Sequence, residues 1–520
     1  MKPTTLKSLM IPANYPVRTA TVELVQTHVS WIFLTDSHAF KIKKPVDFGF
    51  LDFSTLEKRH FYCNEEVRLN RRLCPDIYEG VIELRADGDG ASFNGSGTVL
   101  DYAVMMKRLP AERMLDRLID ADGVTTAMIE RIAGVIADFH AGIASSRYIS
   151  GFGTIDKILA NWNENFEQAQ CYTTSTLPSS ELEAIRSWVE GFAKSNESLF
   201  TRRMEQGYIR ECDGDLHLEN ICLVDDRVYI FDCIEFNERF RYCDTAADIA
   251  FLLMDLDFHG RSDLSALVLK TYLKLSRDPE LEKLAGFYKV YRAFIRGKVE
   301  SFLLNDETID TGMKQIAKER AIRYFRLARG YCERSRLRPT LFITCGTMGS
   351  GKSKLADQLA FELGISVYNS DSIRKFCSGK MPGVSVHERY GQGLYDKAVT
   401  EDVYAQLKRL AGNELRANRS VLIDASFKRA SDRSVLAALA VRHGADFVIL
   451  SVSCDEEEQK RRLIRRSERG VSVSDGRIEL LWQQQAEFEP PGPGEGRIIT
   501  LDSMSSTECL ASRIYEELKQ

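Results

Sequence analysis

Two different patterns of apolar and polar positions divide the chain. The first half opens with short alternating runs, which predict β-strands near residues 21–25, 31–35, 39–43, 81–84 and 99–106. A helix is expected over about residues 55–73. After Pro110, apolar residues recur at three- and four-residue steps, which predicts helices over residues 112–143, 181–200, 262–275, 280–304 and 311–332. Strands followed by helices indicate an α+β unit with two lobes.

The second half alternates short apolar runs with helical stretches. Strands are expected at residues 341–345, 366–369, 420–424, 447–453 and 497–501. Strands that are separated by helices predict an α/β unit with a parallel sheet covered on both faces. A basic connector that ends in proline, residues 334–339, precedes the first of these strands. It predicts a division into domains at 1–335 and 340–520.

Composition narrows the class of protein. Hydrophobic residues make up 44% of the 520 residues and charged residues 28%, as in ordinary globular proteins. The sequence has no apolar run of about 18 residues, no apolar core of a secretory signal and no C-x-x-C pair among its twelve cysteines. These features predict a cytoplasmic protein with reduced thiols. The net charge of −5 gives no general attraction to nucleic acids or anionic membranes, so such contact requires a local basic patch.

The strongest motif lies between the first strand and the first helix of the second half. It fits G-x-x-x-x-G-K-[ST] at every fixed position and comprises Gly346, Thr347, Met348, Gly349, Ser350, Gly351, Lys352 and Ser353. Glycines allow the backbone N–H groups of such a loop to converge on phosphate oxygens. Lys352 is expected to neutralise the β- and γ-phosphates of ATP, and the Ser353 hydroxyl is expected to ligate Mg²⁺.

Two carboxylates follow strands of the same predicted sheet. Asp371 comes after the second strand, where it can take a proton from an attacking hydroxyl. Arg374, one helical turn later, can hold an anionic substrate group. Asp424 ends the third strand, where a carboxylate can support Mg²⁺. Capping of a helix or of a strand end remains the alternative for both acids.

Five arginines cluster on a predicted helix of the second half: Arg461, Arg462, Arg465, Arg466 and Arg469. A solvated helix face is one interpretation of this cluster. The other is a lid whose arginines reach the transferring phosphate. Arg462 and Arg466 are the candidates for that role, because they are four residues apart and share one face.

Residues 340–510 resemble the P-loop kinase group that includes polynucleotide 5′-kinases, zeta-toxin-like kinases and small-molecule kinases. The resemblance rests on the phosphate loop, on Asp371 with Arg374, on the strand that ends at Asp424 and on the arginine-rich helix. It implies MgATP as the donor and Asp371 as the general base. The D-x-x-R spacing is most similar to polynucleotide 5′-kinases, in which the arginine holds a substrate phosphate. The acceptor hydroxyl therefore belongs to a small molecule or to a nucleic-acid end.

The first half carries a longer but weaker pattern. Asp215 is followed five residues later by Asn220, and Asp232 follows the next predicted strand, which is the layout of protein-kinase-like catalysis. In that layout Asp215 orients or deprotonates the acceptor hydroxyl, and Asn220 and Asp232 hold Mg²⁺. Lys41, on an early strand, is the candidate for phosphate binding, with Glu66 on the next helix as its partner.

Residues 20–330 resemble the aminoglycoside-phosphotransferase-like kinases, and especially a bacterial subfamily that is fused to a P-loop kinase. The segment 44–53 is characteristic of that fusion, and residues 105–110 correspond to the hinge between the lobes. The D-F-G at residues 47–49 looks like a metal-binding motif, but it precedes the catalytic loop. We therefore expect a structural turn there.

This half departs from that family in two places. The usual histidine of the catalytic loop is replaced by Asp213, whose charge can alter the local hydrogen bonds. Residues 1–48 contain no glycine, so no glycine-rich loop can cover ATP phosphates, and the side chains of Thr27, His28 and Ser30 can replace some of its contacts. These departures keep open a kinase-like fold with weak or absent catalysis.

A late helix of the first half carries Arg292 and Arg296 on one face. They can contact an anionic substrate, but we expect salt bridges to acidic residues. The sequence as a whole predicts an ATP- and Mg²⁺-dependent phosphotransferase, with the first unit as a candidate second phosphotransferase. Two alternatives remain: an ATPase-driven switch that regulates a catalytically weak first unit, and a nucleic-acid 5′-end kinase or repair module.

Overall fold

The computed structural model describes residues 2–307, 309–377, 396–469 and 481–519. The chain divides into two compact units, Met1–Tyr324 and Phe325–Gln520. This division falls inside a helix, Thr311–Arg334, and thus lies before the basic connector at residues 334–339. Each unit is described by itself.

The strands of the first unit form one large sheet and two small ones. They are β1 (Glu23–Gln26), β2 (Ser30–Leu34), β3 (His38–Lys43), β4 (Tyr78–Asp87), β5 (Gly90–Ser92), β6 (Val99–Lys107), β7 (Ile209–Glu211), β8 (Ile221–Val224), β9 (Arg227–Ile230) and β10 (Tyr242–Asp244). The large sheet is antiparallel in the order β1-β2-β3-β6-β4-β5. The pairs β8-β9 and β7-β10 flank the catalytic loop of the second lobe.

The second lobe of this unit is helical. The helices are α1 (Pro3–Ser8), α2 (Leu56–Asn70), α3 (Leu115–Asp120), α4 (Thr126–Gly142), α5 (Arg147–Ser150), α6 (Ile155–Ala169), α7 (Ser179–Ser195), α8 (Glu197–Glu205), α9 (Glu238–Arg241), α10 (Thr245–Phe258), α11 (Ser262–Ser276), α12 (Leu281–Phe302) and α13 (Thr311–Arg334). Of these, α1 and α2 belong to the strand-rich first lobe. The expected α+β unit with two lobes is confirmed.

Two predicted helices of this lobe are wrong as single helices. The helix expected over residues 181–200 is divided at Asn196 into α7 and α8. The single helix expected over residues 112–143 is broken into α3 and α4. The break includes Asp122, which has a left-handed backbone with φ of 51° and precedes Gly123. An Asp-Gly pair is a common turn signal, so the sequence carried this information.

The second unit has a five-stranded parallel sheet. Its strands are β11 (Thr340–Cys345), β12 (Ser366–Asn369), β13 (Val421–Asp424), β14 (Asp446–Ser453) and β15 (Arg497–Asp502), in the order β12-β13-β11-β14-β15. Its further helices are α14 (Lys352–Leu363), α15 (Ser370–Cys377), α16 (Lys397–Arg416), α17 (Ala430–Arg442), α18 (Glu456–Arg469), α19 (Leu481–Ala486) and α20 (Thr507–Lys519). All five predicted strands are present, and the α/β fold class is confirmed.

Two apolar cores cover the two faces of this sheet. Phe342 and Leu422 pack with α14 and α20 on one face, whereas Leu341 and Ile423 pack with α16 and α17 on the other. Because both faces are buried, the central strands are almost continuously apolar rather than alternating. The neighbours β12, β13 and β11 end at the same edge of the sheet, which brings together the phosphate loop and the segments that follow the other two strands.

Candidate functional site

The phosphate loop of the second unit has a backbone that requires its glycines. Gly346, Gly349 and Gly351 have φ angles of 146°, 76° and 92°. A Cβ atom on Gly346 would lie 2.3 Å from the carbonyl oxygen of Val452. The glycines thus provide both the left-handed turns and the close approach to β14.

Lys352 lies at the start of α14, directly after this loop. Its Nζ donates to the carbonyl oxygen of Thr347 at 2.7 Å. Burial lowers the pKa of Lys352, and the negative charges of Asp424 and Asp371 partly oppose that shift. Arg466 adds a smaller lowering effect on the same pKa. Three of the residues singled out in the sequence therefore act electrostatically on Lys352.

The capping alternative for the two acids can be examined in their hydrogen bonds. Asn369, not Asp371, caps α15, because its Oδ1 accepts from the backbone N–H of Ser372 at 2.9 Å. Asp371 lies in the first turn of α15 and is partly buried. Asp424 accepts from Thr344 Oγ1 at 2.8 Å and from Asn369 Nδ2 at 2.7 Å, so its buried carboxylate is fixed by two side chains.

The arginine cluster separates into two faces of α18. Arg462 contacts Glu458 at 2.7 Å and donates to the side chain and the carbonyl of Ser503. Its Nη1 would lie 3.1 Å from a Cβ atom on Gly351, so it lies directly against the phosphate loop. Arg466 is partly buried, whereas Arg461 and Arg465 are exposed. The side chain of Arg469 lies outside the described residues.

Arg374, the other arginine candidate, is buried. Its Nη1 donates to Thr400 Oγ1 on α16 at 3.1 Å. The guanidinium thus contacts the helix that follows α15 in the described chain.

The sequence analysis did not predict the glutamine side chains that contact the phosphate loop or the burial of the Ser350 hydroxyl within it. Gln484 of α19 accepts from the backbone N–H of Met348 at 2.6 Å, and Gln459 of α18 accepts from Thr347 Oγ1 at 3.3 Å. The Ser350 hydroxyl is fully buried and has no hydrogen-bond partner. No sequence motif marks the glutamines, because they come from helices that are remote along the chain.

In the first unit, Lys41 of β3 lies between two acids. Its Nζ is 2.9 Å from Glu66 Oε1 and 2.5 Å from Asp232 Oδ1. Burial opposes the charge of Lys41, but Asp232 and Glu66 outweigh it and hold the pKa of Lys41 well above its usual range. Lys43, which the sequence analysis did not single out, contacts Glu66 at 2.6 Å and also pairs with Glu235.

Glu66 itself is fully buried between these lysines. Burial opposes its negative charge, yet Lys41 and Lys43 lower its pKa to about 2. Glu66 therefore stays ionised and links two lysines that project from the same face of β3.

The catalytic loop holds Asp215 and Asn220 in contact. Asn220 Nδ2 donates to the carbonyl oxygen and to Oδ2 of Asp215, at 3.1 and 3.2 Å. His217 Nε2 lies 3.4 Å from Asp215 Oδ2. Burial opposes ionisation of Asp215, but His217 and Arg296 hold its pKa below the usual range. Asp215 is thus an ionised acceptor at the end of this loop.

Asp248 and Arg292 fix the backbone of the same loop through hydrogen bonds. Asp248 accepts from the backbone N–H groups of Asp213 and Gly214 at 3.1 and 2.8 Å. Arg292 donates to the carbonyl oxygens of Gly214 and Ala247 at 2.8 and 3.0 Å. The expected salt bridge of Arg292 is therefore wrong, because its guanidinium binds backbone carbonyls.

Asp213 takes the place of the usual histidine and is buried. Its Oδ1 accepts from the backbone N–H of Asp215 at 3.1 Å, and its Oδ2 has no hydrogen-bond partner. Burial, together with the charges of Asp248 and Asp215, raises the pKa of Asp213 to about 8. The carboxyl is therefore mostly protonated near neutral pH.

The turn between β1 and β2 occupies the position of the missing glycine-rich loop. Thr27 Oγ1 accepts from the backbone N–H groups of Val29 and Ser30 at 3.3 and 3.0 Å. His28 lies 3.4 Å from Asp306. Thr27 and His28 are thus engaged within the protein, whereas the buried Ser30 hydroxyl has no partner.

A cavity of about 440 Å³ joins these parts of the first unit. Lys41, Asp215 and Asp232 lie on its wall, together with residues of α6 and α12. The hinge segment at residues 105–110, which the structure describes in full, does not line it. The cavity therefore extends from Lys41, Asp215 and Asp232 toward the helical lobe.

Known proteins resemble both parts of the chain. The AAA domain family matches residues 341–491. Among solved structures, a choline/ethanolamine kinase family protein from Mesorhizobium loti is 13% identical, with 63% of this chain and 99% of that chain covered and a TM-score of 0.37. A gluconokinase from Sinorhizobium meliloti is 22% identical, with 35% of this chain and 98% of that chain covered and a TM-score of 0.25.

Relatives of nearly the full length also exist. Uncharacterized proteins of Mycobacterium tuberculosis strain H37Rv and of Mycobacterium bovis are each 30% identical over 474 residues, or 90% of this chain and 91% of theirs. Among the described residues, no helix is both long and apolar enough to cross a membrane. In this chain a two-lobed kinase-like unit precedes a P-loop unit, and the chain belongs to the same family as these mycobacterial proteins.

Proposed function

We propose that the second unit is an ATP-dependent kinase that transfers the γ-phosphate to an acceptor hydroxyl, with Asp371 as the general base. The observation that carries this proposal is the phosphate loop with its left-handed glycines, which lies at the same edge of the sheet as Asp424 and the start of α15. The charges of Asp424 and Asp371, which partly oppose the lowering of the pKa of Lys352, support it. The match of this segment to the AAA domain family supports nucleotide binding. The N-cap of α15 is Asn369, so Asp371 does not fill the capping position.

In the proposed reaction, the acceptor hydroxyl gives its proton to the Asp371 carboxylate. The acceptor oxygen forms a bond to the γ-phosphorus while the bond between that phosphorus and the bridging oxygen breaks, and ADP leaves. Lys352, Arg462 and Arg466 offset the negative charge that moves during transfer, and Arg374 positions the acceptor. Positioning and charge neutralisation supply most of the acceleration, because phosphoryl transfer requires little covalent chemistry from the protein.

The donor set of this site fits Mg²⁺. Ser353 offers a hydroxyl and Asp424 a fixed carboxylate, and hard oxygen ligands of this kind suit Mg²⁺. The ion, when bound, neutralises charge on the β- and γ-phosphates. Both residues are placed by the start of α14 and the end of β13.

The test is transfer of label from γ-labelled ATP to 5′-hydroxyl oligonucleotides and to a panel of small alcohols. We expect Asp371→Asn to reduce transfer by about 10²–10⁴-fold, the range for loss of a general base, with ATP affinity retained. Asp402→Asn, an exposed acid on α16, is the matched control and should keep full activity. Full transfer by Asp371→Asn would refute the role of Asp371, and the acceptor that becomes labelled distinguishes a small-molecule kinase from a 5′-end kinase.

A second phosphotransferase in the first unit is favoured by one specific observation. Lys41, Asp215 and Asp232 line the same cavity, with Asn220 in contact with Asp215. Asp232 is paired with Lys41 but has a side chain that is 45% exposed, and Asn220 donates through Nδ2, which leaves its Oδ1 for a metal. These oxygens fit Mg²⁺, which would neutralise phosphate charge here as well.

This second activity is tested in the Asp371→Asn background, so that the P-loop unit does not contribute. We expect Asp215→Asn to abolish the remaining transfer, and Asp89→Asn, an exposed acid of the same unit, to leave it unchanged. ADP release without any acceptor, unchanged by Asp215→Asn, would instead support a regulatory ATPase switch.

A further inference from the structure

The cavity of the first unit has a part that the transfer residues do not use. Beyond Lys41, Asp215 and Asp232, its wall comes from α6, α12 and the segment around β10. This part includes ten aromatic residues: Phe50, Phe152, Trp162, Phe236, Phe240, Tyr242, Phe251, Tyr288, Tyr291 and Phe302. Such a wall favours a ligand with an apolar or planar body.

Lys298 of α12 is a cation on this wall whose two hydrogen-bond partners are neutral, although the charge of Glu164 partly opposes the lowering of its pKa. Its Nζ donates to Asn165 Oδ1 and to Gln168 Oε1 of α6, each at 2.6 Å. Both partners are neutral amide oxygens, and in the described part of the chain no carboxylate lies within ion-pair distance of Lys298. Burial lowers the pKa of Lys298 to about 8. An ammonium group has three N–H donors, so one remains for a ligand.

The other charges that line this part of the cavity are already engaged. Arg239 pairs with Glu164 at 2.6 Å, and Arg292 binds the backbone carbonyls of the catalytic loop. Asp244 is held by Arg203, which lies outside the wall, at 2.7 Å. The charge left over beside the aromatic rings is therefore positive.

Arg296 lies on the other edge of the cavity-facing stripe of α12 and acts electrostatically on Asp215, whose pKa it lowers. Glu300 lies 3.9 Å from Arg296 and is already bound by Arg320 at 2.9 Å. The Nε of Arg296 is buried and has no hydrogen-bond partner. At 100° per residue, Arg296 and Lys298 lie about 160° apart on either side of this stripe.

Trp162 provides a second, independent sign of a missing ligand. Its side chain is fully buried and lines the cavity, yet its Nε1 has no acceptor among the residues that the structure describes. Buried indole N–H groups usually have a partner, because an unpaired donor costs about 1–3 kcal/mol. An acceptor atom on a bound molecule would remove that cost.

We propose that this cavity binds a small hydroxylated anion with an apolar or aromatic body, whose acid group is held by Lys298 and whose acceptor atom pairs with Trp162. The acid is a carboxylate or a phosphate, since both present the same chemistry to Lys298. The proposal rests on the second phosphotransferase activity proposed above and names the class of its acceptor. A cavity of about 440 Å³ is in the range of small-molecule sites.

The experiment compares probes that share one body and differ in charge. The probes are 3-phenyllactate, the neutral 3-phenyl-1,2-propanediol, the cationic 1-amino-3-phenyl-2-propanol and 2-phenylethyl phosphate, titrated calorimetrically into the full chain without ATP. We expect at least one anion to bind tenfold or more tightly than the diol, and the amine to bind most weakly. The stronger of the two anions identifies the acid group.

Variants assign the preference to the named residues. Lys298→Met keeps the length of the side chain and should abolish the preference for the anion, whereas Lys270→Met, an exposed lysine on α11, should retain it. Trp162→Phe keeps a ring and should weaken binding of the anion severalfold. Circular dichroism shows whether each variant is folded, and rescue by Lys298→Arg separates the charge from packing. Equal binding of all probes, tightest binding of the amine, or no binding of either anion would overturn the proposal.

The pH dependence provides a further check on Lys298. Glu164 and Arg239 face it from α6 and α9, and burial raises the pKa of Tyr291 above its usual value. With a Lys298 pKa of about 8, affinity for phenyllactate should fall about tenfold from pH 7 to pH 9. Because binding is measured without ATP, loss of the proposed transfer activity alone would leave this result intact. Transfer without a preference for anions would refute only the ligand class.

Discussion

The buried side chain of Asp213 makes the stability of the folded protein depend on pH. Its pKa of about 8 lies above the value of 3.8 expected for the unfolded chain, so the folded state retains a proton between these values. Folding therefore loses stability as the pH rises from about 4 to 8. The variant Asp213→Asn, which stays neutral, should be more stable than the natural protein by an amount that grows on the order of 1 kcal/mol per pH unit over pH 5–8.

The measurement is urea unfolding at pH 5, 6, 7 and 8, followed by the fluorescence of the tryptophans, three of which belong to the first unit. Asp226→Asn, whose side chain is 94% exposed, is the control and should show a pH-independent difference. A constant difference for Asp213→Asn would mean that Asp213 is ionised in the folded protein.

Some residues of the two sites can be predicted from the sequence, and others cannot. The phosphate loop could be assigned because all its fixed positions are adjacent and their spacing is set by the loop itself. Lys43 could have been found as well, since it shares the face of β3 with Lys41. Lys298 could not, because its partners Asn165 and Gln168 are 133 and 130 positions away and carry no motif.

At the scale of elements, the contact of α13 with α14 in the second unit depends on a single glycine. A Cβ atom on Gly330 would lie 1.7 Å from the carbonyl oxygen of Glu362. We expect Gly330→Ala to push these helices apart and to lower the free energy of unfolding by about 1–3 kcal/mol. Differential scanning calorimetry of the full chain should show this as a lower melting temperature.

The control for that prediction is another helical glycine of the same unit. A Cβ atom on Gly412 of α16 would lie 3.6 Å from Leu439 Cδ1 and 4.0 Å from His443 Nε2, which are ordinary van der Waals distances. Gly412→Ala should therefore be neutral or stabilising by about 0.5–1 kcal/mol, since alanine is the better helix former. If Gly330→Ala also raised the melting temperature, the helices would have room that the structure does not show.

Two helices that the sequence analysis did not predict show the limits of apolar periodicity. All 14 residues of α10 are buried, so no polar face marks its period. Helix α6 is different, because Ile155, Ile158, Trp162, Phe166 and Ala169 recur at three- and four-residue steps. That signal was present but was interrupted by three asparagines, and α6 supplies part of the wall of the cavity.

At the scale of the whole chain, the candidate nucleotide sites of the two units differ in how far their phosphate-binding segments are free to receive ATP. In the second unit, the phosphate loop has its left-handed glycines in place. In the first unit, the turn that would cover the phosphates is closed by Thr27, which already accepts the N–H groups of Val29 and Ser30, and Lys41 is bound by Asp232. ATP must replace these contacts to bind there, so we expect it to bind more weakly.

Hydrogen exchange with a non-hydrolysable ATP analogue and Mg²⁺ tests this difference within one molecule. The amides of residues 346–353 should become protected at lower analogue concentrations than those of residues 213–220. A substitution in one unit should abolish the protection of that unit alone. Lys352→Met should abolish the first and leave the second, and Lys41→Met should do the reverse. If both segments reached half of their maximal protection at the same analogue concentration, the turn closed by Thr27 would not weaken ATP binding. If residues 213–220 stayed unprotected at saturation, the first unit would act without ATP, and the switch interpretation would replace the bifunctional one.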